Sequence, residues 1–213
     1  WRIVMFEEVR IRERKSAKYG KTYEYRFEIA PVGGERKWLS KGGFLTEEEL
    51  QALGAIKLEN PNFALARDLF LFGCWTGISF IDIKNLTTDN VVEINGALWI
   101  VSKRQKTGVP FQVKLMDIPM QIIKRYEPFR KDKRLFNIGS LDMVNKRIKS
   151  IARKCGIEKP VSFHLSRHSF AVMALNYGMP IESVSKILGH TDIKTTEIYA
   201  KVTSEHAIAY LSD

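Results

Sequence analysis

The sequence has few cysteines and no long apolar run. The two cysteines, Cys74 and Cys155, each lie within an apolar periodic stretch. This usage favours buried thiols in a reducing compartment over a disulfide framework. No apolar run approaches the roughly 20 residues that span a bilayer, and no signal peptide opens the chain. The sequence therefore predicts a cytoplasmic protein.

Acidic residues are also in short supply. Asp and Glu number 24 against 34 Lys and Arg, which gives a formal net charge of +10. This surplus favours polyanionic partners, because basic side chains neutralise phosphates and release counterions, although composition alone fits a merely basic soluble protein as well. With 213 residues, 45% of them hydrophobic, the chain can bury one substantial core and a small satellite domain. Its first residue is Trp1 rather than Met, so we expect a piece of a longer protein.

The first 43 residues differ in texture from the rest. Between Lys21 and Ile29, apolar and polar side chains alternate with the period of two that is typical of a half-buried strand. Gly33 and Gly34 supply a turn before residues 36–40, which predicts a small sheet or hairpin. Eleven basic and six acidic residues give the segment a net charge of +5. It fits an auxiliary DNA-contacting unit, and equally an edge sheet with solvated charges.

A helical body begins at Thr46, which forms the pattern of a capping box with Glu49. Apolar periodicity and stop signals predict further helices. They cover residues 63–75, 79–85, 141–155, 164–177 and 181–188, and a short helix capped by Thr195 and Thr196 follows. The helix over residues 141–155 carries basic side chains off its apolar face, which fits a DNA-binding surface or an ordinary solvated face.

Three β segments interrupt these helices. Residues 91–94 and 98–101 flank an Asn95-Gly96 turn, which predicts a hairpin, and residues 111–115 predict a third strand. We therefore expect an α+β, mainly α fold, in which a helical bundle carries a small antiparallel β-sheet, preceded by the short β-rich N-terminal segment.

The last fifty residues hold four polar side chains with complementary chemistry. His164 and Arg167 are three apart on a predicted helix, so both project from one face, while His190 and Tyr199 follow later. A guanidinium can clamp a phosphate, imidazoles can transfer protons, and a phenol can attack phosphorus. Each residue alone has an ordinary structural explanation, but their combination indicates DNA strand transfer.

A zinc site is the enzymatic alternative. His164 and His168 have the four-residue spacing of an HExxH helix, and His190 could complete three ligands. However, Leu165 stands where the Glu that acts as general base would be, and Arg167 places a fixed positive charge between the ligands. We therefore expect no metal, and interpret His168 as a structural residue or one that supports a neighbouring site residue.

Four motifs carry a family resemblance. They are TGISFIDIKNL at residues 76–86, KRQKTGVP at 103–110, HLSRHSFAVMAL at 164–175 and LGHTDIKTTEIYAKV at 188–202. In this order and spacing they resemble the catalytic domain of tyrosine recombinases, especially the integrases of mobile elements, over residues 44–213. The family's HxxR, His, Tyr and β-turn Lys positions match His164, Arg167, His190, Tyr199 and Lys106.

The resemblance implies a role for each of these residues in site-specific recombination, the integration or excision of a mobile element. Tyr199 attacks a backbone phosphorus and forms a 3′-phosphotyrosyl link that conserves the bond energy, so no ATP, metal or other cofactor is expected. Arg167 binds the non-bridging oxygens in the transition state, and His190 hydrogen-bonds the phosphate. Lys106 protonates the departing 5′ oxygen, and His164 assists proton transfer to or from Tyr199 or the phosphate.

The chain departs from the family pattern at Ser79. The family's first arginine normally stands there, two residues after the Gly of the TG motif. A hydroxyl brings no positive charge and cannot replace a bidentate guanidinium. Either another cation, such as Lys84 or Arg104, reaches the phosphate, or the protein cleaves DNA slowly. The second outcome keeps a rival function open, that of a catalytically weak or inactive DNA-binding or regulatory protein with the same fold.

The resemblance also implies partners. They are double-stranded DNA, further copies of the chain in a tetramer on that DNA, and a DNA-bending accessory protein; no membrane partner is expected. The side chains predicted to contact DNA are Lys84, Lys103, Arg104, Lys146 and Lys149. The tail at residues 204–213 has an apolar face that fits docking on a neighbouring protomer or on its own domain.

The domain boundary is expected at residue 43. Residues 1–43 weakly resemble the small β arm-type DNA-binding unit of transposon integrases, and residues 44–213 resemble the catalytic domain. A helical core-binding domain normally precedes that domain, and 43 residues with strand-like alternation cannot form its four helices, so we expect a fragment or a degenerate element protein. Without a clamp on the far face of the duplex, DNA affinity should be low and strongly salt-dependent.

Overall fold

The structure, a computed structural model, describes residues 9–16, 20–29 and 37–200, with side chains from residue 43 onward. Within these ranges it is mainly helical, with two three-stranded antiparallel sheets, as predicted for an α+β, mainly α fold. The strands are β1 (Val9–Ser16), β2 (Gly20–Ile29), β3 (Lys37–Gly42), β4 (Val91–Ile94), β5 (Ala97–Lys103) and β6 (Pro110–Lys114). The helices are α1 (Glu47–Ala55), α2 (Pro61–Thr76), α3 (Phe80–Asn85), α4 (Asp117–Tyr126), α5 (Leu141–Lys154), α6 (Phe163–Asn176), α7 (Ile181–Leu188) and α8 (residues 194–200).

The first sheet has the order β1-β2-β3. In its register, Tyr25 of β2 pairs with Ile11 of β1 and with Lys41 of β3. Strands β2 and β3 agree with the predicted strands, whereas the sequence does not predict β1, since five of its eight residues are charged. The predicted turn at Gly33 and Gly34 and the side chains of this sheet lie outside the described residues. The domain boundary at residue 43 stays a prediction.

Local sequence signals fix the starts of α1 and α3. Thr46 Oγ1 accepts from Glu49 N at 3.3 Å, and Glu49 Oε2 accepts from Thr46 N at 2.8 Å, so the predicted capping box is confirmed. Ser79 caps α3, because its Oγ accepts from Asp82 N. Helix α2 begins at Pro61, before the predicted residue 63, because proline suits the first helical turn.

The second sheet contains the predicted hairpin. Strands β4 and β5 join through Asn95 and Gly96, whose positive φ angles of 50° and 74° are those of a type I′ turn. Strand β5 extends to Lys103 and pairs with β6, so the segment between them, residues 104–109, forms a short loop. This loop contains two of the basic residues singled out in the sequence, Arg104 and Lys106.

The predicted helices α5, α6 and α7 are confirmed to within a residue at each end. Helix α8 differs in how it starts. It begins at residue 194, and Asp192 Oδ1 accepts from Lys194 N at 3.0 Å. Thr195 and Thr196 therefore lie in its first turn, and their predicted capping role is wrong. The tail at residues 204–213 lies outside the described residues.

Helix α2 forms the centre of the domain. It packs against α4, α5 and α6, and its side chains are buried on nearly all sides. A helix that is apolar all round is expected at such a position. A second, smaller cluster lies between the last three helices. Its buried members include Phe170, Val172, Val184, Leu188 and Tyr199.

Gly77 ends α2 where that helix meets α6. Its φ of 65° lies in the left-handed region, which non-glycine residues rarely adopt. An added Cβ at this position would also lie 2.5 Å from the Phe170 ring of α6. The close contact fixes the end of α2 against the helix that carries His164 and Arg167.

None of the described helices is long and apolar enough to cross a membrane.

The close contact between Gly77 and Phe170 leads to a prediction about stability. We expect Gly77→Ala to lower the free energy of unfolding by about 2–5 kcal/mol, because a left-handed alanine and an overpacked Phe170 each add strain. The matched control is Gly54→Ala in α1, where no atom lies within 4 Å of an added Cβ. That variant should be more stable by about 0.5–1 kcal/mol. Denaturant unfolding measures both; equal stability of Gly77→Ala and wild type would contradict the packing described here.

Candidate active site

Three helices and one loop supply the residues singled out in the sequence. His164 and Arg167 lie on α6, His190 follows the end of α7, Tyr199 lies on α8, and Lys106 lies on the loop between β5 and β6. Helices α6 and α7 pack against each other, and α7 also contacts β6. The structure thus brings the ends of these elements together at one side of the domain.

Arg167 is held by carbonyl groups at two helix ends. Its Nη1 donates to Gly77 O at 2.7 Å, and its Nη2 donates to Leu188 O at the end of α7. Carbonyls at helix C-termini have no partner within the helix and carry negative partial charge, so a guanidinium is a suitable cap. Burial, together with the nearby positive charge of Arg104, lowers the pKa of Arg167 to about 10. At neutral pH the side chain still carries its charge.

Arg104 is the second guanidinium of the site and is only 6% exposed. Its Nη1 lies 2.8 Å from Asp82 Oδ2, and its Nη2 donates to Ile187 O in the last turn of α7. The guanidinium carbon stacks 4.0 Å from the centre of the Phe111 ring. Its Nε is buried with no hydrogen-bond partner among the described residues.

Gly189 makes room for this arginine. It ends α7 with a φ of 60°, in the left-handed region. An added Cβ would lie 2.9 Å from both Cγ and Nε of Arg104. The glycine of the KILGH motif therefore serves two needs at once, because it stops the helix and lets Arg104 lie under the helix end.

Ser79 connects to Arg104 through Asp82. Ser79 Oγ donates to Asp82 Oδ2 at 2.7 Å, and Asp82 Oδ1 accepts from Gln105 N at 2.8 Å. The same carboxylate forms the buried ion pair with Arg104. Ser79, where the family resemblance leads us to expect an arginine, is thus linked through one carboxylate to an arginine from the β5–β6 loop. Lys84, the other cation considered, is half-buried in the last turn of α3.

Tyr199 is 5% exposed and packs in the smaller core cluster. Its hydroxyl is nevertheless in polar surroundings, since Oη lies 2.6 Å from His168 Nδ1. Burial raises the pKa of Tyr199 to about 12, and the positive charge of Arg167 acts in the opposite direction. The phenol is therefore close enough to Arg167 to feel its charge, and a ring nitrogen of His168 lies within hydrogen-bonding distance of its oxygen.

The other histidines occupy different positions around this pair. His164 is exposed, and its ring meets the His168 ring edge-on, with the centres 4.4 Å apart. His190 is half-buried, and its Nδ1 lies 2.9 Å from Thr196 Oγ1 on α8. The first turn of α8 therefore orients His190, while its next turn carries Tyr199.

Lys106 lies at the tip of the β5–β6 loop. Arg104 N donates to Val109 O at 2.9 Å, and Gly108 N donates to Arg104 O at 2.8 Å, which folds the loop tightly. Lys106 and Lys103 are both exposed. The loop therefore buries one cation, Arg104, and presents another, Lys106, to solvent.

The basic residues of α5 lie apart from this loop. Lys146 and Lys149 are exposed, and Lys146 forms an ion pair with Asp142 at 2.9 Å. Asn145 on the same helix accepts from Phe163 N at 2.7 Å, at the start of α6. Helix α5 thus touches the helix that carries His164 and Arg167, and its contact with DNA stays a prediction.

Asp82 has no role in the sequence interpretation, and His168 has only a structural or supporting one. Asp82 fixes Arg104, and its signal is the Ser-x-x-Asp cap at the start of α3. His168 contacts Tyr199, although its sequence position suggests only a supporting residue. No pattern in the sequence pairs residues 31 positions apart, so this contact needs the fold.

A metal site has no support in the part of the chain that the structure describes. No group of three or more His, Cys, Asp or Glu there could hold an ion. Of the three histidines considered as ligands, His168 and His190 each direct Nδ1 at a hydroxyl oxygen.

Comparison with known proteins identifies the family. Residues 43–206 match the sequence profile described as the phage integrase family. This chain belongs to the phage integrase family, the tyrosine recombinases. The tyrosine recombinase XerD of Pseudomonas putida is 31% identical over 148 residues, which cover 62% of this chain and 47% of that protein. The tyrosine recombinase XerC of Neisseria gonorrhoeae is 29% identical over 180 residues, which cover 79% of this chain and 58% of that protein. The chain spans about half the length of these two relatives.

Solved structures show the same recombinase fold. The XerH recombinase in a post-cleavage complex with its difH substrate matches with a TM-score of 0.63 at 21% identity, over 78% of this chain and 51% of that one. The catalytic domain of bacteriophage HP1 integrase matches with a TM-score of 0.59 at 23% identity, over 81% of this chain and 95% of that one. The second match covers nearly a whole catalytic domain, so the helical body described here has the fold of a tyrosine recombinase catalytic domain.

The buried ion pair between Asp82 and Arg104 leads to a prediction about stability. Asp82→Ala would leave Arg104 buried without its counterion, so we expect the free energy of unfolding to fall by about 3–5 kcal/mol. The control, Asp142→Ala, breaks an exposed ion pair with Lys146 and should cost less than about 1 kcal/mol. If thermal or denaturant unfolding gave similar losses for both, Asp82 would not be holding Arg104 in place.

Proposed function

We propose that this chain carries out site-specific DNA recombination, cutting and rejoining DNA strands through Tyr199. The observation that carries the proposal is the convergence of a tyrosine and two guanidiniums, half-buried Arg167 and buried Arg104, at the ends of α2, α7 and α8. Phosphoryl exchange needs a nucleophile and fixed positive charge around one phosphate. Both are present here in one site.

Tyr199 is the proposed nucleophile. Its oxygen attacks the phosphorus, the P–O5′ bond breaks, and a 3′-phosphotyrosyl link forms. The bond energy is kept in that link, so a 5′ hydroxyl from another strand can attack it and restore the DNA backbone without ATP. Since Tyr199 is only 5% exposed, DNA binding must either bring the phosphate to the phenol or shift α8 so that the phenol reaches the phosphate.

The two arginines are the proposed phosphate clamp. Arg167 and Arg104 are close enough for their charges to repel, and this contributes to the lowered pKa of Arg167. A phosphate bound between them would relieve the repulsion and accept charge-assisted hydrogen bonds from both. We propose that Arg104, fixed by Asp82, takes the role of the arginine missing at Ser79. Lys84 is the weaker candidate, because no contact links it to Arg167 or Ser79.

Lys106 is the proposed general acid. It is exposed on the loop whose base is anchored by Arg104, so a phosphate at the clamp lies beside this loop. Protonation of the departing 5′ oxygen by the ammonium group removes the need to expel an alkoxide. His190, oriented by Thr196, is proposed to hydrogen-bond the same phosphate, and exposed His164 to assist proton transfer.

The proposed substrate is double-stranded DNA, in the integration or excision of a mobile element. Two observations support it, namely the net charge of +10 and structures of relatives solved with DNA. One of them, the Tn1549 transposon integrase in complex with circular intermediate DNA, matches with a TM-score of 0.59 at 18% identity, over 74% of this chain and 60% of that one. We propose a tetramer on DNA, and a basic N-terminal segment, residues 1–43, that contacts DNA outside the cleavage site.

Two observations together favour a second function. Ser79 replaces an arginine and Tyr199 is buried, a combination that fits a DNA-binding regulatory protein with little or no cleavage activity. The two functions differ in one product, a covalent bond between protein and DNA.

A nicked suicide duplex distinguishes them. The short strand lost after cleavage prevents rejoining, so the protein–DNA adduct accumulates and can be seen on a denaturing gel. We expect an adduct with wild-type protein and none with Tyr199→Phe, because the phenylalanine has no nucleophilic oxygen. Tyr177→Phe is the control, since Tyr177 is exposed at the end of α6 and hydrogen-bonds Glu47. Tight DNA binding without adduct in wild-type protein would favour the regulatory function.

A further inference from the structure

The attack by Tyr199 requires that its proton leave. Burial raises the pKa of this phenol to about 12, so near neutral pH almost none of it is ionised. Tyr199 is only 5% exposed and packs in the core cluster of α6, α7 and α8, so solvent is poorly placed to take the proton. A basic group within hydrogen-bonding distance of Oη is therefore needed.

His168 is the side chain that meets this requirement. Its Nδ1 lies 2.6 Å from Tyr199 Oη, a distance typical of a strong hydrogen bond between these atoms. In the tautomer protonated at Nε2, Nδ1 accepts from the phenol. The imidazole is buried on the same helix as Arg167, so its position is fixed by the helix that holds the phosphate clamp.

The other two histidines have different contacts. The Nδ1 atom of His190 lies against Thr196 Oγ1. His164 is exposed, and its ring meets the ring of His168. The family resemblance assigns help with proton transfer to His164, whereas His168 is the histidine whose Nδ1 lies 2.6 Å from the phenol oxygen.

We infer that His168 is the general base that takes the proton of Tyr199 as the phenol attacks DNA. This inference rests on the proposed function. The Oη–H bond breaks and an Nδ1–H bond forms, which leaves His168 as an imidazolium. The Oη–P bond forms, the P–O5′ bond breaks, and the 5′ oxygen receives a proton from Lys106. Rejoining runs in reverse, so His168 returns its proton to Tyr199 when the phosphotyrosyl link breaks.

The position of His168 on α6 suits this role. Consecutive residues of an α-helix differ by about 100° around its axis, so Arg167 and His168 point in different directions from one turn. Arg167 can bind the phosphate while His168 binds the nucleophile beside it. The exposed ring of His164 lies one turn earlier on α6, with its centre 4.4 Å from that of His168.

The test measures adduct formation on the suicide duplex at saturating protein. His168→Phe keeps a ring of similar size but cannot accept a proton, and His168→Asn keeps a hydrogen-bonding atom near the Nδ1 position without a useful base. We expect each to lower the rate of adduct formation by roughly 100-fold or more, with DNA affinity unchanged. His168→Ala leaves a cavity, and added imidazole should restore part of its rate but none of the rate of His168→Phe.

Ser169→Ala is the structural control. Ser169 is the buried neighbour on α6 whose Oγ accepts from Leu45 N at 2.9 Å, so its loss lowers stability without touching Tyr199. It should lower the melting temperature and leave the adduct rate unchanged. The inference is overturned if His168→Phe and His168→Asn form adduct as fast as wild type. It is also overturned if Ser169→Ala loses activity equally and imidazole restores nothing. Failure of wild-type protein to form any adduct would instead defeat the proposed function, and this role with it.

Discussion

Two guanidinium groups hold the C-terminal end of α7, and the rest of the site depends on that contact. Arg167 joins the end of α7 to the end of α2, and Arg104 joins it to Asp82 of α3. Helices from the first and last thirds of the domain and the β5–β6 loop therefore meet at one point. Displacing α7 would break the contacts that Arg167 and Arg104 make with its C-terminal end, and would separate that end from α2 and α3.

This arrangement places cations where they are costly for the fold. Burial lowers the pKa of both arginines, and their mutual repulsion adds to the cost. Backbone carbonyls at the helix end and the Asp82 carboxylate offset part of it. A phosphate bound between the two arginines, as proposed, would offset more of it.

The sequence predicts the local structure well and the tertiary contacts poorly. The capping box at Thr46, the glycine stop at Gly77 and the Asn95-Gly96 hairpin each depend on neighbouring residues, so they could be predicted from the sequence. The contact between Arg104 and Ile187 joins residues 83 positions apart, and that between His168 and Tyr199 joins residues 31 apart. Neither has a periodic pattern. The sequence therefore names Arg104 only as one of two possible cations, and it gives His168 a minor role.

We propose that Arg104 and Arg167 neutralise the same phosphate, and a methylphosphonate placed at the cleavage site can show whether they do. That group replaces one non-bridging oxygen with methyl and removes the negative charge. The variant is Arg104→Met combined with Asp82→Asn, so that no unpaired charge stays buried, and Lys84→Met is the control. We expect the Arg104 variant to cleave a normal phosphodiester on the order of 100-fold or more slowly than wild type. Most of this loss should disappear on the methylphosphonate. Lys84→Met should lose little activity on either substrate. An equal loss of activity on both substrates, or no loss on the phosphodiester, would show that Arg104 does not neutralise this phosphate.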